Sequence, residues 1–188
     1  MDTSNSLKLN LGCGENLLPG FINVDKNGHP DVLHDLETFP WPWDTNSVAQ
    51  VRLNHVLEHL GETVSLYFGI IKELYRICAA DALIDIAVPH PRHDDFISDP
   101  THVRAVTPQG LDLFSKSKNR EWIGKYANSP LGLYLDVDFE MASVNYVLDP
   151  LWAEKLRTKE VTDSQVDQAF RNFNNVVKEI RMVLKVVK

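Results

Sequence analysis

The stretch Leu7-Lys8-Leu9-Asn10-Leu11-Gly12-Cys13-Gly14, with Phe21-Ile22-Asn23-Val24-Asp25 behind it, decides how the chain is read. The first apolar run stops in Gly-Cys-Gly, the pattern of a buried strand breaking into a glycine turn. Glycine admits positive φ and lets a ligand approach the backbone with no Cβ in the way. Eleven positions past Gly14, the second apolar run ends in the carboxylate of Asp25. Strand, glycine turn, strand and acid make up a nucleoside-binding α/β half, in which the acid accepts hydrogen bonds from ribose hydroxyls. Gly-x-Gly by itself is a weak signal, and it gains weight from Asp25.

Size and charge bound the reading. A chain of 188 residues is most simply one domain, 1–188. At that length roughly 70% of the unfolded surface is buried, so no disulfide or metal staple is required. Cys13 and Cys78 are the only cysteines and make no ligand cluster, which suits a reduced, cytoplasmic setting. The segment Met1 to Ser6 lacks the positive charge and apolar block of a secretion signal. No apolar run approaches the ~20 residues of a membrane span. The formal charge is −7, from 19 basic and 26 acidic residues. The densest basic stretches, Lys116 to Arg120 and Lys178 to Lys188, read as solvated faces. Neither nucleic acid nor membrane is expected as a partner.

Asn10 to Asp25, reading NLGCG…PGFINVD, resembles a small subgroup of the class I S-adenosylmethionine-dependent methyltransferases. The resemblance implies a Rossmann-like, doubly wound, mostly parallel seven-stranded sheet with an antiparallel last strand and helices on both faces. It implies S-adenosylmethionine as cofactor, with Gly12, Cys13 and Gly14 under its methionyl part and Asp25 on its ribose. It further assigns Asp35 to the adenine amino group, the Leu36 backbone amide to a ring nitrogen, and Asn54 or His55 to the methionyl end. Two departures stand out. Asn16 replaces a usual third glycine, a mild change because Asn tolerates the left-handed region. The gap to Asp25 is also shorter than the ~20 residues typical of dinucleotide folds. The first crossover helix is therefore expected to be clipped to a turn around Leu17-Leu18-Pro19-Gly20.

Further along, Pro30 to Leu36 reads as a short third strand ending at Asp35. The prolines of Phe39-Pro40-Trp41-Pro42-Trp43 forbid regular structure, and the two tryptophans read as loop anchors before lids. Val48 to Asn54 is a strand candidate, Glu62 to Cys78 the clearest amphipathic helix, and Leu83 to Pro89 a central strand. Thr107-Pro108 starts a helix expected to end near Lys118-Asn119. Leu131, Leu133, Leu135, Val137, Phe139 and Met141 share a period of two, and Ala142, Val144, Tyr146 and Leu148 take the other phase. That slip predicts a bulge near Met141. Thr162 or Asp163 caps another helix. The run Val176 to Lys188 fits helix and strand alike; valine enrichment and the resemblance favour strand.

The chemistry concentrates in two stretches. His55-Val56-Leu57-Glu58-His59 matches the pattern of inverted zinc peptidases, in which both histidines share one helical face. No third ligand stands out, and the resembled subgroup has its own His-x-Leu-Glu-His here, so no metal is expected. Pro89 to Arg104 leaves a strand end, where open α/β sheets bind ligands, and its Asp99 to Arg104 matches a further element of the subgroup. Three readings compete for this loop. His90, His93 or His102 deprotonates an acceptor; the acids and Arg104 form a salt-bridged frame; or His90-x-x-His93 and carboxylates hold a divalent ion. The chain lacks the Asp/Asn-Pro-Pro-aromatic signature of base amino-methyltransferases, with Val88-Pro89-His90-Pro91 in the corresponding region. The expected enzyme moves a methyl group from S-adenosylmethionine to a small polar or glycan-like acceptor through O or N. The rivals are a non-catalytic nucleoside sensor and a zinc hydrolase built on His55, Glu58 and His59.

Overall fold

The computed structural model describes residues 7–125 and 129–188. The stretch read as carrying no secretion signal, residues 1–6, lies outside them. Its sheet is assembled from β1 (Leu7–Leu11), β2 (Ile22–Asp25), β3 (Val32–Leu33), β4 (Val48–Asn54), β5 (Cys78–Pro89), β6 (Phe139–Leu148) and β7 (Val177–Val186). The strand order is β3-β2-β1-β4-β5-β7-β6. The first five strands pair in parallel, and β7 runs antiparallel between β5 and β6. The expected sheet, with its reversed last strand, is thus present.

Alternation along the strands builds the core. Val51 and Leu53 of β4 lie beside Ile84 and Ile86 of β5, all buried. Helix α1 (Val64–Ile77), started by the Thr63 side chain, packs Ile70, Ile71, Leu74 and Ile77 into that core. On the opposite side of the same strands stand half-buried Gln50, Arg52 and Asp85, with Gln50 Nε2 donating to Asp85 Oδ2 at 2.9 Å.

No helix joins β1 to β2, as the short spacing predicted. Side-chain amides hold this connection instead. Asn10 and Asn23, both buried, face each other across β1 and β2, and Asn10 Nδ2 donates to Asn23 Oδ1 at 2.9 Å. Asn10 Nδ2 also reaches the Asn16 carbonyl at 2.9 Å, and the Leu18 N–H donates to Asn23 Oδ1 at 2.8 Å. Asp31 Oδ2 accepts from the backbone N–H and the Nδ2 of Asn23, at 2.7 and 2.8 Å. These bonds hold the Asp31 carboxyl below its ordinary pKa.

The second half corrects several readings. The helix begun by Thr107 is two short ones, α3 (Pro108–Asp112) and α4 (Lys116–Trp122), because Ser115 starts the second with its own side-chain cap. A short α2 (Asp94–Ile97) precedes them. Leu131, Leu133 and Leu135 belong not to a strand but to α5 (Leu131–Leu135), closed by Asp136 in the left-handed region at φ 55°. Five residues are too few for a period of two to be told from a helical turn. The predicted phase slip is real, since the β6–β7 register shifts between Met141 and Ser143. Two further helices follow, α6 (Pro150–Arg157) and α7 (Asp163–Asn172), the latter with Thr162 and Gln165 in a reciprocal capping box. Among the described residues no helix is long and apolar enough to cross a membrane.

Asn23 is the hub of the amide network. Asn23→Ala would take one hydrogen-bond partner from buried Asn10 and from the half-buried Leu18 N–H, and a stranded buried group costs about 1–3 kcal/mol. Urea denaturation is expected to show a loss of at least that size.

Candidate functional site

A cleft of about 220 Å³ opens beyond the carboxyl ends of the parallel strands, between Gly12 after β1 and His55-Val56 after β4. Connections from these two neighbouring strands leave in opposite directions, the topological switch point where such sheets bind ligands. Gly12 has φ 65°, and a Cβ there would lie 2.5 Å from Val56 Cγ2. Its bareness therefore lets the two turns close on each other at the cleft floor. Gly14, at φ 50°, borders open space.

Asp25 holds the glycine turn from the end of β2. Its Oδ2 accepts from the Gly14 N–H at 2.9 Å and its Oδ1 from the Asn27 N–H at 2.9 Å. A carboxylate oxygen carries more than one lone pair, so acceptor capacity remains on the cleft side. Past β3, Asp35 Oδ1 accepts from the Glu37 N–H at 3.0 Å. Glu37 was not foreseen. Its Oε1 takes the Gly61 N–H at 2.8 Å and so ties two walls of the cleft together. The following loop is pinned as expected, by buried Trp41 and Trp43. Trp41 Nε1 donates to the Leu36 carbonyl at 3.0 Å, and Arg76, paired with Glu73 on α1, donates to the carbonyls of Trp41 and Trp43.

Of the residues expected at the cofactor, Gly12, Asp25, Asp35, Leu36 and His55 line the cleft. Gly14 borders an adjoining hollow that shares Asp25. Cys13 does not line the cleft, being buried in the turn with its N–H on the Val24 carbonyl at 3.0 Å. Nor does Asn54, which lines a groove with Gln50, Arg52 and Asp85. Asn54 shares a face of β4 with Gln50 and Arg52, and the chain leaves the strand before His55, whose left-handed backbone turns it to the cleft.

The His55 to His59 segment is not an α-helix. His55 has φ 56°, and only Leu57–His59 forms a single 3₁₀ turn. The shared helical face of a zinc peptidase is therefore absent. His55 Nε2 lies 2.7 Å from Glu179 Oε2, and its Nδ1 lies 3.5 Å from Glu58 Oε1, an ion-pair separation. Glu58 first, then Glu179, hold its pKa above the ordinary value, against the opposing effect of burial.

The three histidines expected as bases part company. His90 and His93 do not line this cleft. His90 sits edge-on to Phe170 and Tyr146. His93 caps α2 through Nδ1, with its Nε2 3.3 Å from Asp149 Oδ2. His102 is brought to the cleft's neighbourhood instead, its ring centroid 4.6 Å from that of His59. Arg104 forms no salt-bridged frame among the described residues. Its guanidinium lies 3.9 Å from the Tyr67 ring centroid and donates to the Gly61 carbonyl at 2.6 Å.

Neither a protein-family model nor a curated protein matches the sequence. Solved structures do. An S-adenosylmethionine-dependent methyltransferase from Archaeoglobus fulgidus superposes with a TM-score of 0.62 at 17% identity, over 97% of this chain and 86% of that one. This chain has the methyltransferase fold. Another such enzyme, from Methanosarcina mazei, matches with a TM-score of 0.54 at 10% identity, over 97% of this chain and 93% of that one. The Burkholderia thailandensis 1,6-didemethyltoxoflavin-N1-methyltransferase, with 1,6-didemethyltoxoflavin and S-adenosylhomocysteine bound, matches with a TM-score of 0.53 at 12% identity, over 97% of this chain and 72% of that one. In the methyltransferase fold seen here, the switch-point cleft is the one that Gly12, Asp25 and Asp35 border.

His90 yields a pH prediction. Burial first, then the charge of Arg92 and the neighbouring His93, hold its pKa below the ordinary 6.5. The unfolded chain then binds more protons at this position than the folded one. Stability from His90 is complete above about pH 6.5 and is lost as pH falls below it. His90→Asn is expected to flatten the fall in melting temperature between about pH 7 and pH 5 relative to wild type.

Proposed function

We propose that the chain is a methyltransferase that uses S-adenosylmethionine and a small polar or glycan-like acceptor. The observation that carries this reading is a carboxylate at the end of β2, Asp25, facing a switch-point cleft in a methyltransferase fold. The residues fit the cofactor. Gly12 offers a cleft floor free of Cβ, Asp25 retains acceptor capacity for ribose hydroxyls, and Asp35 with Leu36 stands at another wall for the adenine edge. When bound, S-adenosylmethionine supplies a methyl group already activated by its sulfonium.

The protein's work is then chiefly to place the acceptor. Holding reacting atoms about 3–3.5 Å apart supplies much of a barrier reduction of this kind. Val56 and Leu60 contribute apolar wall, while His55, His59 and Glu37 line the remainder with polar groups suited to hydroxyl- or amine-bearing molecules. The net charge of −7 argues against a polyanionic acceptor.

Calorimetry of the purified chain with S-adenosylmethionine and with NAD, side by side, tests the reading. Only the former is expected to bind. Asp25→Ala is expected to weaken that binding by about 1.5–3 kcal/mol, roughly 10- to 150-fold, through lost charge-assisted hydrogen bonds. Undiminished affinity in the variant would move the ribose elsewhere.

A further inference from the structure

Glu58 is the most anomalous ionisable side chain in the described chain. It is fully buried, yet neither carboxylate oxygen has a hydrogen-bond partner among the described residues. A buried carboxylate is normally paired, hydrogen-bonded or bound to a metal. Its nearest cationic neighbour is His55, whose Nδ1 is 3.5 Å from Oε1 but whose Nε2 is engaged by Glu179. Arg104 makes no ion pair with it; its guanidinium lies over Tyr67 and donates to the Gly61 carbonyl, while its Nε has no partner among the described residues.

What faces Glu58 is a pair of histidines. The N–H groups of Val103 and Arg104 both donate to the Glu58 carbonyl, at 3.0 and 3.2 Å, and so draw the loop after β5 onto the 3₁₀ turn after β4. One ligand atom each of Glu58, His59 and His102 then lies within 4.8 Å of the others. The surrounding hydrogen bonds fix the tautomers. Thr101 Oγ1 gives its hydrogen to Asp99 Oδ1 at 2.6 Å, so it accepts at 2.9 Å from a protonated Nδ1 of His59. His102 Nδ1 must likewise be the protonated nitrogen, because the Phe96 carbonyl 2.8 Å away can only accept. In the neutral tautomer that these bonds select, the bare nitrogen of each ring is Nε2. Each ring nitrogen opposite is oriented by a carbonyl or a hydroxyl–carboxylate chain, the arrangement found behind metal-binding histidines.

We infer that Glu58, His59 and His102 form a binding site for a divalent first-row transition ion. Two imidazoles and a carboxylate suit Zn²⁺, Co²⁺ or Fe²⁺ better than Mg²⁺ or Ca²⁺. Ligands held tetrahedrally at about 2.0–2.2 Å lie about 3.4 Å apart, so atoms already within 4.8 Å of one another need to close by no more than about 1.4 Å to complete the site. Asp99 Oδ2, 3.7 Å from His102 Nε2, stands beside it. The site differs from the zinc pattern read in the sequence, for His102 takes the place of His55. Because His59 also lines the cleft, an open coordination position can meet an acceptor oxygen and lower its pKa. That use rests on the methyltransferase reading, whereas binding of the ion does not.

The test titrates metal-free, full-length chain with Co²⁺ alone, without S-adenosylmethionine, and follows visible absorption. One saturable equivalent is expected, displaced by Zn²⁺ and not by Mg²⁺. Glu58→Gln and His102→Asn are expected to lower Co²⁺ affinity at least 10-fold, and His29→Asn to leave it unchanged. Absence of a stoichiometric spectrum, or full affinity in both site variants, overturns the inference. Should the variants not fold, imidazole ¹⁵N resonances of the wild type decide. Zn²⁺ must shift the Nε2 signals of His59 and His102 and spare His29, and any other pattern removes the site. A chain that binds Co²⁺ but not S-adenosylmethionine would keep the ion and lose the enzyme reading; the reverse result would do the opposite.

Discussion

The buried amide pair of Asn10 and Asn23 is the constraint on which the cleft rests. Without a crossover helix, nothing apolar and regular holds the chain between Gly12 and Ile22 against the sheet. The pair substitutes for that helix by satisfying the Leu18 N–H and the Asn16 carbonyl, while Asp31 holds Asn23 from behind. Buried amides tolerate few arrangements, because each must find all its partners in one geometry. The price of this rigidity is that the network stands or falls together. Given that geometry, the Gly14 N–H meets Asp25 and Gly12 meets Val56, so the switch-point cleft takes its shape.

A second level of organisation ties the walls of the cleft to one another. Glu37 links the segment after β3 to Gly61, and the Glu73–Arg76 pair carries the tryptophan loop onto α1. The loop after β5 is divided between two tasks. Its first part, with His90 and His93, is fastened to β6 through Tyr146, to α7 through Phe170 and to the start of α6 through Asp149. Its last part, with His102, is fastened to the turn after β4. One histidine-rich stretch therefore serves two places about a β-strand end.

Much of this was legible in the sequence where the signal is local. Gly12, Gly14 and Asp25 lie within one strand–turn–strand unit, and their spacing announced both the turn and the missing helix. The bulge near Met141 was readable because a period of two that changes phase has few other causes. Leu131 to Leu135 misled because a five-residue alternation fits a turn of helix as well. Helix α6 carried a usable signal in Asp149-Pro150, a side-chain cap followed by proline in the first turn. What stayed hidden were pairings between distant residues. Glu37 with Gly61 follows from how the segments after β3 and β4 converge at the cleft, and His59 with Thr101 and His102 from how β4 and β5 lie side by side, neither of which spacing along the chain encodes. The His-x-x-Glu-His string was deceptive for the same reason. Its meaning depended on a helix, and His55 in a left-handed conformation denies it one.

The margins of the sheet carry one more implication. A strand at a margin presents unpaired amides and carbonyls that another chain can adopt as a template. Here one margin is β3, only two residues long, and the other is β6, whose ladder is broken between Met141 and Ser143. Neither offers a long, straight run of free backbone groups. A chain with so many apolar strands thus carries its own safeguard against growing, strand by strand, into a fibre.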